Sequence, residues 1–134
     1  MQKFVTYPFV RESILPGNQT KDQLFIEKIV QFIEENISDA SLSVESLSVE
    51  AAMSKSAFQR KLKALTSYSP NEFTRLIRLQ YAAKLLLSNE YRVSEIGYMC
   101  GFSSHSYFSK CFFNHFKVTP SDFIGKQMSE RRPT

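Results

Sequence analysis

The chain contains its own near-copy. When Val44 to Phe73 is slid against Val93 to Phe123, Leu47 answers Ile96 and Met53-Ser54 answers Phe102-Ser103. After a one-residue insertion, Phe58, Arg60, Leu62, Pro70 and Phe73 answer Phe108, Lys110, Phe112, Pro120 and Phe123. Two copies are too few for a solenoid, whose units bury their apolar faces only by stacking in series. Each copy instead reads as a short helix, a break at Met53-Ser54 or Gly101-Phe102-Ser103, and a second helix, which is a helix-turn-helix plan.

Between the copies, Ser69 to Asn89 reads as one long helix. Ser69-Pro70-Asn71-Glu72 is a capping box with proline at the first helical position, where its missing N–H is no loss. Phe73, Leu76, Ile77, Ala83, Leu86 and Leu87 keep helical spacing, and Leu79, Ala82 and Leu85 widen the apolar surface, so neighbours are expected on more than one side. About twenty residues at roughly 1.5 Å rise span about 30 Å, close to the roughly 34 Å between successive major-groove faces of a DNA duplex. An all-α fold with two helix-turn-helix motifs on a linking helix follows, and double-stranded DNA becomes the candidate partner.

Charge placement agrees. The net charge of the 134-residue chain is only +4, yet Asp22 to Glu50 holds seven acids against Lys28, and Lys55 to Lys84 holds seven bases against Glu72. A basic stretch on a helix of this plan favours nucleic acid over an ordinary solvated face. With 43% hydrophobic and 22% charged residues, one or two small cores sharing a spine are within reach. No apolar run approaches membrane-spanning length and no secretory signal pattern is present, so the expectation is a soluble, cytoplasmic segment without membrane contact.

In chain order, residues 1–20 carry Pro8, Pro16 and Gly17 without periodicity and read as a linker or tail, although Phe4, Val5, Tyr7, Phe9 and Val10 are apolar enough to pack on a neighbour. Thr20-Lys21-Asp22-Gln23 is a second capping box, opening a helix whose Ile26, Ile29, Val30, Ile33 and Ile37 form one stripe and which should stop near Ser38-Asp39. Ser43 is the expected cap of a short helix with Val44, Leu47 and Ala51 inward, and Ser54 of the next. On residues 55–65, Phe58, Leu62 and Leu65 form the core side, whereas Ser56, Gln59, Arg60 and Lys63 fall at i, i+3, i+4, i+7 opposite. Arginine can donate two parallel bonds to guanine, glutamine can pair bidentately with adenine, and Lys63 can sit on a phosphate.

In the second copy the same face reads Ser106, Ser109, Lys110 and Phe113, with His105 at the helix start. Serine for glutamine, lysine for arginine and Phe113 for Lys63 each remove reach, bidentate geometry or charge, so the first motif should dominate specificity and the second should mainly anchor. Ser103 and Ser104 offer hydroxyls and free N–H groups to a phosphate at a helix start. Gly97 is expected to serve close helix packing. Thr119-Pro120-Ser121-Asp122 caps a last helix, residues 21–128 form the folded region, and 129–134 read as a loose tail.

These residues carry a family resemblance. Ser54-Lys55-Ser56-Ala57-Phe58-Gln59-Arg60-Lys61-Leu62-Lys63-Ala64-Leu65-Thr66, Ser69-Pro70-Asn71-Glu72-Phe73, Gly101-Phe102-Ser103-Ser104 and Tyr107-Phe108-Ser109-Lys110-Cys111-Phe112 resemble the AraC/XylS family of transcription regulators over roughly Asp22 to Lys126. The resemblance implies a seven-helix unit with two helix-turn-helix motifs, each placing its second helix in the major groove. It implies Ser56, Gln59 and Arg60 as base readers of the first motif and His105, Ser106, Ser109 and Lys110 as those of the second. Ser54, Lys55, Lys63, Arg92, Ser103 and Ser104 are the expected phosphate contacts. The wording of Arg60 to Thr66 and Ala82 to Leu87, led by Phe25-Ile26-Glu27-Lys28, is similar to the output domain of hybrid two-component regulators, which implies a sensor or receiver domain, and histidine kinase activity, elsewhere in a parent chain. RNA polymerase is a further candidate partner. Ser67 and Lys117 stand at turn positions where the family usually has glycine. Arg92 stands where it usually has a small cap; its charge opposes the helix dipole unless a phosphate neutralises it.

Two other readings compete. No P-loop or nucleophile elbow supports an enzyme. Cys100, His105, Cys111 and His115 are zinc-type residues, but their spacing matches no finger and Cys111 lies about 120° around the helix from His105; no metal or other cofactor is expected, and both thiols read as reduced. A helical protein-interaction module without DNA binding is the stronger rival, and it requires no outward Gln-Arg-Lys face.

Overall fold

The computed structural model describes residues 20–131, with backbone only for residues 128–131. Seven helices follow in order: α1 (Lys21–Glu35), α2 (Val44–Glu50), α3 (Lys55–Thr66), α4 (Pro70–Ser88), α5 (Val93–Met99), α6 (His105–Phe116) and α7 (Pro120–Arg131). The described residues contain no strand, so the all-α expectation and both helix-turn-helix motifs hold. The expected linker lies outside the described residues up to position 19. Helix α7 runs to Arg131, three residues past the boundary drawn at 128, and residues 132–134 also lie outside.

The helix starts are set locally. The Glu72 amide donates to the Ser69 hydroxyl at 3.2 Å, and the Ser69 amide donates to the Glu72 carboxylate at 2.9 Å, completing the box that opens α4. Those bonds hold the Glu72 carboxyl below its ordinary range, the Ser69 backbone N–H contributing most. Ser43 and Ser46 form an equivalent box at α2. Thr20 accepts the Gln23 amide at 3.0 Å at α1, but that box is only half made: the Gln23 Oε1 is enclosed without a partner among the described residues.

By Cα proximity the chain gathers into two units. In the first, described over residues 20–35 and 42–75, the core side chains are the hydrophobic Ile26, Ile29, Val30, Ile33, Leu47, Phe58, Leu62 and Phe73. The Phe25 ring leans on Phe58 with centroids 6.0 Å apart. Leu65, expected in the core, is only half-buried, while Thr66 is buried, donating to the Leu62 carbonyl at 2.8 Å and accepting the Tyr68 amide at 3.1 Å. A hydroxyl bonded back to the preceding turn can be buried at little cost.

The second unit comprises Asn36–Ser41 and the chain from Leu76. Its core is Leu79, Ala82, Leu86, Ile96, Cys100, Phe102, Phe108 and Phe112, and Ile37 packs against it. Here the expectation fails in a definite way: α1 ends at Glu35, before Ser38, and Ile37 leaves the stripe of Ile26 to Ile33. The Asp39 amide donates to the Asn36 carbonyl, and the Asp39 carboxylate accepts from the Ser41 amide and hydroxyl at 2.9 and 2.6 Å, a local turn that replaces further helix. Phe112, Phe116 and Phe123 stack around one another, with centroids 4.4 to 5.3 Å apart.

Candidate nucleic-acid interface

Helix α3 is fixed by its inward side. Phe58 and Leu62 are fully enclosed, and Ser54 caps the helix by accepting the Ala57 amide at 3.2 Å. One turn on each side of that buried ridge, the backbone projects Ser56, Gln59, Arg60 and Lys63 into solvent, and all four are exposed. Gln59, Arg60, Lys63 and Ala64 line one shallow, open depression. The other bases of the helix are occupied within the unit. The Lys55 ammonium sits 3.1 Å from the Glu45 carboxylate, both exposed, and Lys61 lies 3.9 Å from Asp22 and over the Phe25 ring at 4.6 Å. Arg60 and Lys63 are in no salt bridge among the described residues, which leaves a donor-rich face uncommitted.

The turns before the two outer helices use the same backbone trick. Ala52 and Gly101, equivalent by the repeat, take φ of +58° and +87°. The two positions where the family usually has glycine do likewise: Ser67 ends α3 at φ 72° and Lys117 ends α6 at φ 66°, both left-handed. Each donates its amide one turn back, to Lys63 and to Phe113. Non-glycine residues in this region carry modest strain.

Helix α6 presents a different surface. Ser104 accepts the Tyr107 amide at 3.0 Å, so its hydroxyl is committed to the cap. Ser103, Ser106 and Lys110 are exposed. His105 and Ser109 are half-buried and face each other, Nε2 to hydroxyl 3.4 Å, while the His105 Nδ1 is enclosed without a partner among the described residues. Phe113 is half exposed. The Tyr107 ring stands 5.9 Å from that of Phe102, and almost half of the residue's surface is in solvent. Arg92 is exposed at the start of α5 and makes no side-chain cap bond; Glu95 reaches back to its amide at 3.3 Å and supplies the negative charge that the helix start favours. The structure thus gathers the first-motif candidates on one face, and gives the second motif a sparser one.

Gly97 on α5 behaves as a packing residue. A Cβ there would stand 2.8 Å from the Phe108 Cβ. Of the zinc-type residues, Cys100 is buried in the second core and its thiol is pushed up to about 12 by burial, against a smaller opposing effect of Arg78. Among the described residues no three His, Cys, Asp or Glu side chains gather to hold a metal, and no described helix is long and apolar enough to cross a membrane.

Residues 47–126 match the model of a helix-turn-helix domain. The chain belongs to the AraC-type helix-turn-helix family of DNA-binding transcription regulators. It is 39% identical over 102 residues to histidine kinase P4 of Formosa agariphila, covering 76% of this chain and 7% of the kinase. Its fold is similar to a transcriptional regulator of Chromobacterium violaceum described as an AraC-type DNA-binding domain protein, with a TM-score of 0.71 and 29% identity over 78% of this chain and 92% of that one. It is also similar to the DNA-binding domain of AdpA solved with a target DNA, with a TM-score of 0.70 and 26% identity over 80% and 95% of the two chains. The chain spans 40% of the length of the transcriptional activator RhaS of Shigella boydii and 20% of that of the activator AggR of Escherichia coli, two curated relatives that it matches.

Proposed function

We propose that this AraC-type domain reads a specific operator by placing α3 and α6 in successive major grooves. Ser56, Gln59 and Arg60 read bases from α3, and Lys63, Ser54 and Lys55 meet phosphates, Lys55 after exchanging Glu45 for the backbone. His105, Ser106, Ser109 and Lys110 face bases from α6, while Ser103, Ser104 and Arg92 meet phosphates, the free N–H groups of a helix start being suited to an anion.

The observation that carries this reading is the uncommitted Gln59, Arg60 and Lys63 face, exposed on α3 and lining one depression. A solvated face chosen only for solubility needs no such convergence of bidentate donors. The likeness to the AdpA domain solved with a target DNA supports the same partner. The likeness to a histidine kinase supports an output role in a longer hybrid regulator, with sensing and kinase chemistry elsewhere in the parent chain and transcription as the output in the cytoplasm; RNA polymerase is the partner such an output would engage. Selection of bound duplexes from a random pool, followed by titration of the winner at several salt concentrations, tests the reading. A selected consensus and a steep fall of affinity with salt support it; absence of any enriched sequence contradicts it.

A further inference from the structure

We infer that Arg78 is a positioning residue for recognition by the second motif, acting through the turn that launches α6; this rests on the reading that α6 engages DNA. By composition Arg78 belongs to the basic stretch, yet it is buried, at 8% exposure. Its Nη1 donates to the Gly101 carbonyl at 2.6 Å and its Nη2 donates to the Asp39 carbonyl at 2.8 Å. One planar guanidinium on α4 therefore grips the turn before α6 and the 36–41 loop of the same unit.

The fit around the turn is tight enough to specify both partners. Gly101 sits at φ +87°, and a Cβ there would run into the Arg78 guanidinium and stand 2.6 Å from the Ile37 carbonyl oxygen. Its counterpart in the first motif, Ala52, makes the same left-handed turn at φ +58° with a side chain in place and exposed. A left-handed turn can therefore carry a methyl group; at Gly101 the wider φ adds strain, and the packed guanidinium together with the Ile37 carbonyl takes up the space. Three residues beyond Gly101, Ser104 caps α6, and Phe108 locks that helix against Gly97. The carbonyl that Arg78 holds thus lies at the root of the segment that aims Ser106 and Lys110. Bonds from a charged donor are stronger than neutral ones, and a lysine ammonium cannot reproduce the flat two-pronged reach across two segments.

The test compares Arg78→Lys, Gly101→Ala and Ala52→Gly in the full chain on the selected duplex, scanning single base changes under each motif. Arg78→Lys and Gly101→Ala should flatten discrimination under the second motif by about tenfold, the size of one lost base contact, and leave it intact under the first. Ala52→Gly should read both halves as the parent does. Unchanged discrimination in Arg78→Lys, or an equal loss under both motifs, overturns the proposal, the latter marking a general loss of stability. Should Arg78→Lys not fold, exchange of the Arg78 Nη protons in the unsubstituted protein decides: slow exchange without DNA supports the grip, and exchange at the free-arginine rate refutes it. A parent chain that protects no second half-site removes the two-groove reading, an outcome distinct from fast exchange at Arg78.

Discussion

The His105 Nε2 lies 3.4 Å from the Ser109 hydroxyl, one turn along α6. Two of the four candidate base readers of the second motif therefore satisfy each other, and base edges must compete with that bond. The equivalent face of α3 offers Gln59 and Arg60 exposed. Single-base scanning of the selected site should place the largest penalties, about 1 to 3 kcal/mol per mismatch, under the first motif. His105→Ala should change the profile little. Equal penalties in both halves, removed from the second half by His105→Ala, would make His105 a primary reader and the asymmetry wrong.

Arg60 and Lys63 share a face but should fail differently. Arg60→Ala is expected to weaken binding by about 1 to 3 kcal/mol and to relax preference at one base pair, whereas Lys63→Ala should weaken all duplexes alike and lessen the salt slope. Binding curves on the selected site and its single-base variants separate the two; uniform loss in both mutants assigns Arg60 to a phosphate.

Gly97→Ala should destabilise the fold by about 1 to 3 kcal/mol, because overpacking forces neighbours from their rotamers and the new methyl would stand 2.8 Å from the Phe108 Cβ. The first motif has Ser48 at the equivalent place, buried, with its hydroxyl donating to the Glu45 carbonyl at 2.9 Å. Urea unfolding measures the difference, and an unchanged midpoint would show that α5 and α6 can separate freely.

What was legible in the sequence was whatever a few neighbouring residues decide. Ser43, Ser54, Ser69 with Glu72, and Thr119 cap helices where their spacing said they would, and the alternation of Phe58 and Leu62 with Gln59, Arg60 and Lys63 set the two sides of α3. What was not legible depended on distant partners. Ile37 continued the α1 stripe in register, yet a core built mostly from α4 to α7 takes it up. Arg78 counted as surface charge, yet two carbonyls far along the chain bury it. His105 and Ser109 stood four residues apart as independent readers, and only the placement of the imidazole shows them paired.

Acid should loosen the fold with a known sign. The carboxyls of Glu72 and Asp39 are held below their ordinary values, chiefly by the Ser69 amide and the Ser41 hydroxyl respectively. The unfolded chain then binds more protons as pH falls below the ordinary carboxyl values. Their stabilisation is present above those values and is lost as pH drops through the lower folded ones. Urea midpoints for the parent and Glu72→Gln should converge as pH falls through that range; a constant gap between the two would contradict the role of the carboxylate at the α4 cap.

The most direct test of the central claim is hydroxyl-radical footprinting of the selected duplex. Two helices in successive major grooves should leave two protected patches about one helical turn apart, with log affinity falling linearly against log salt. A single patch, or affinity indifferent to salt, would contradict the account.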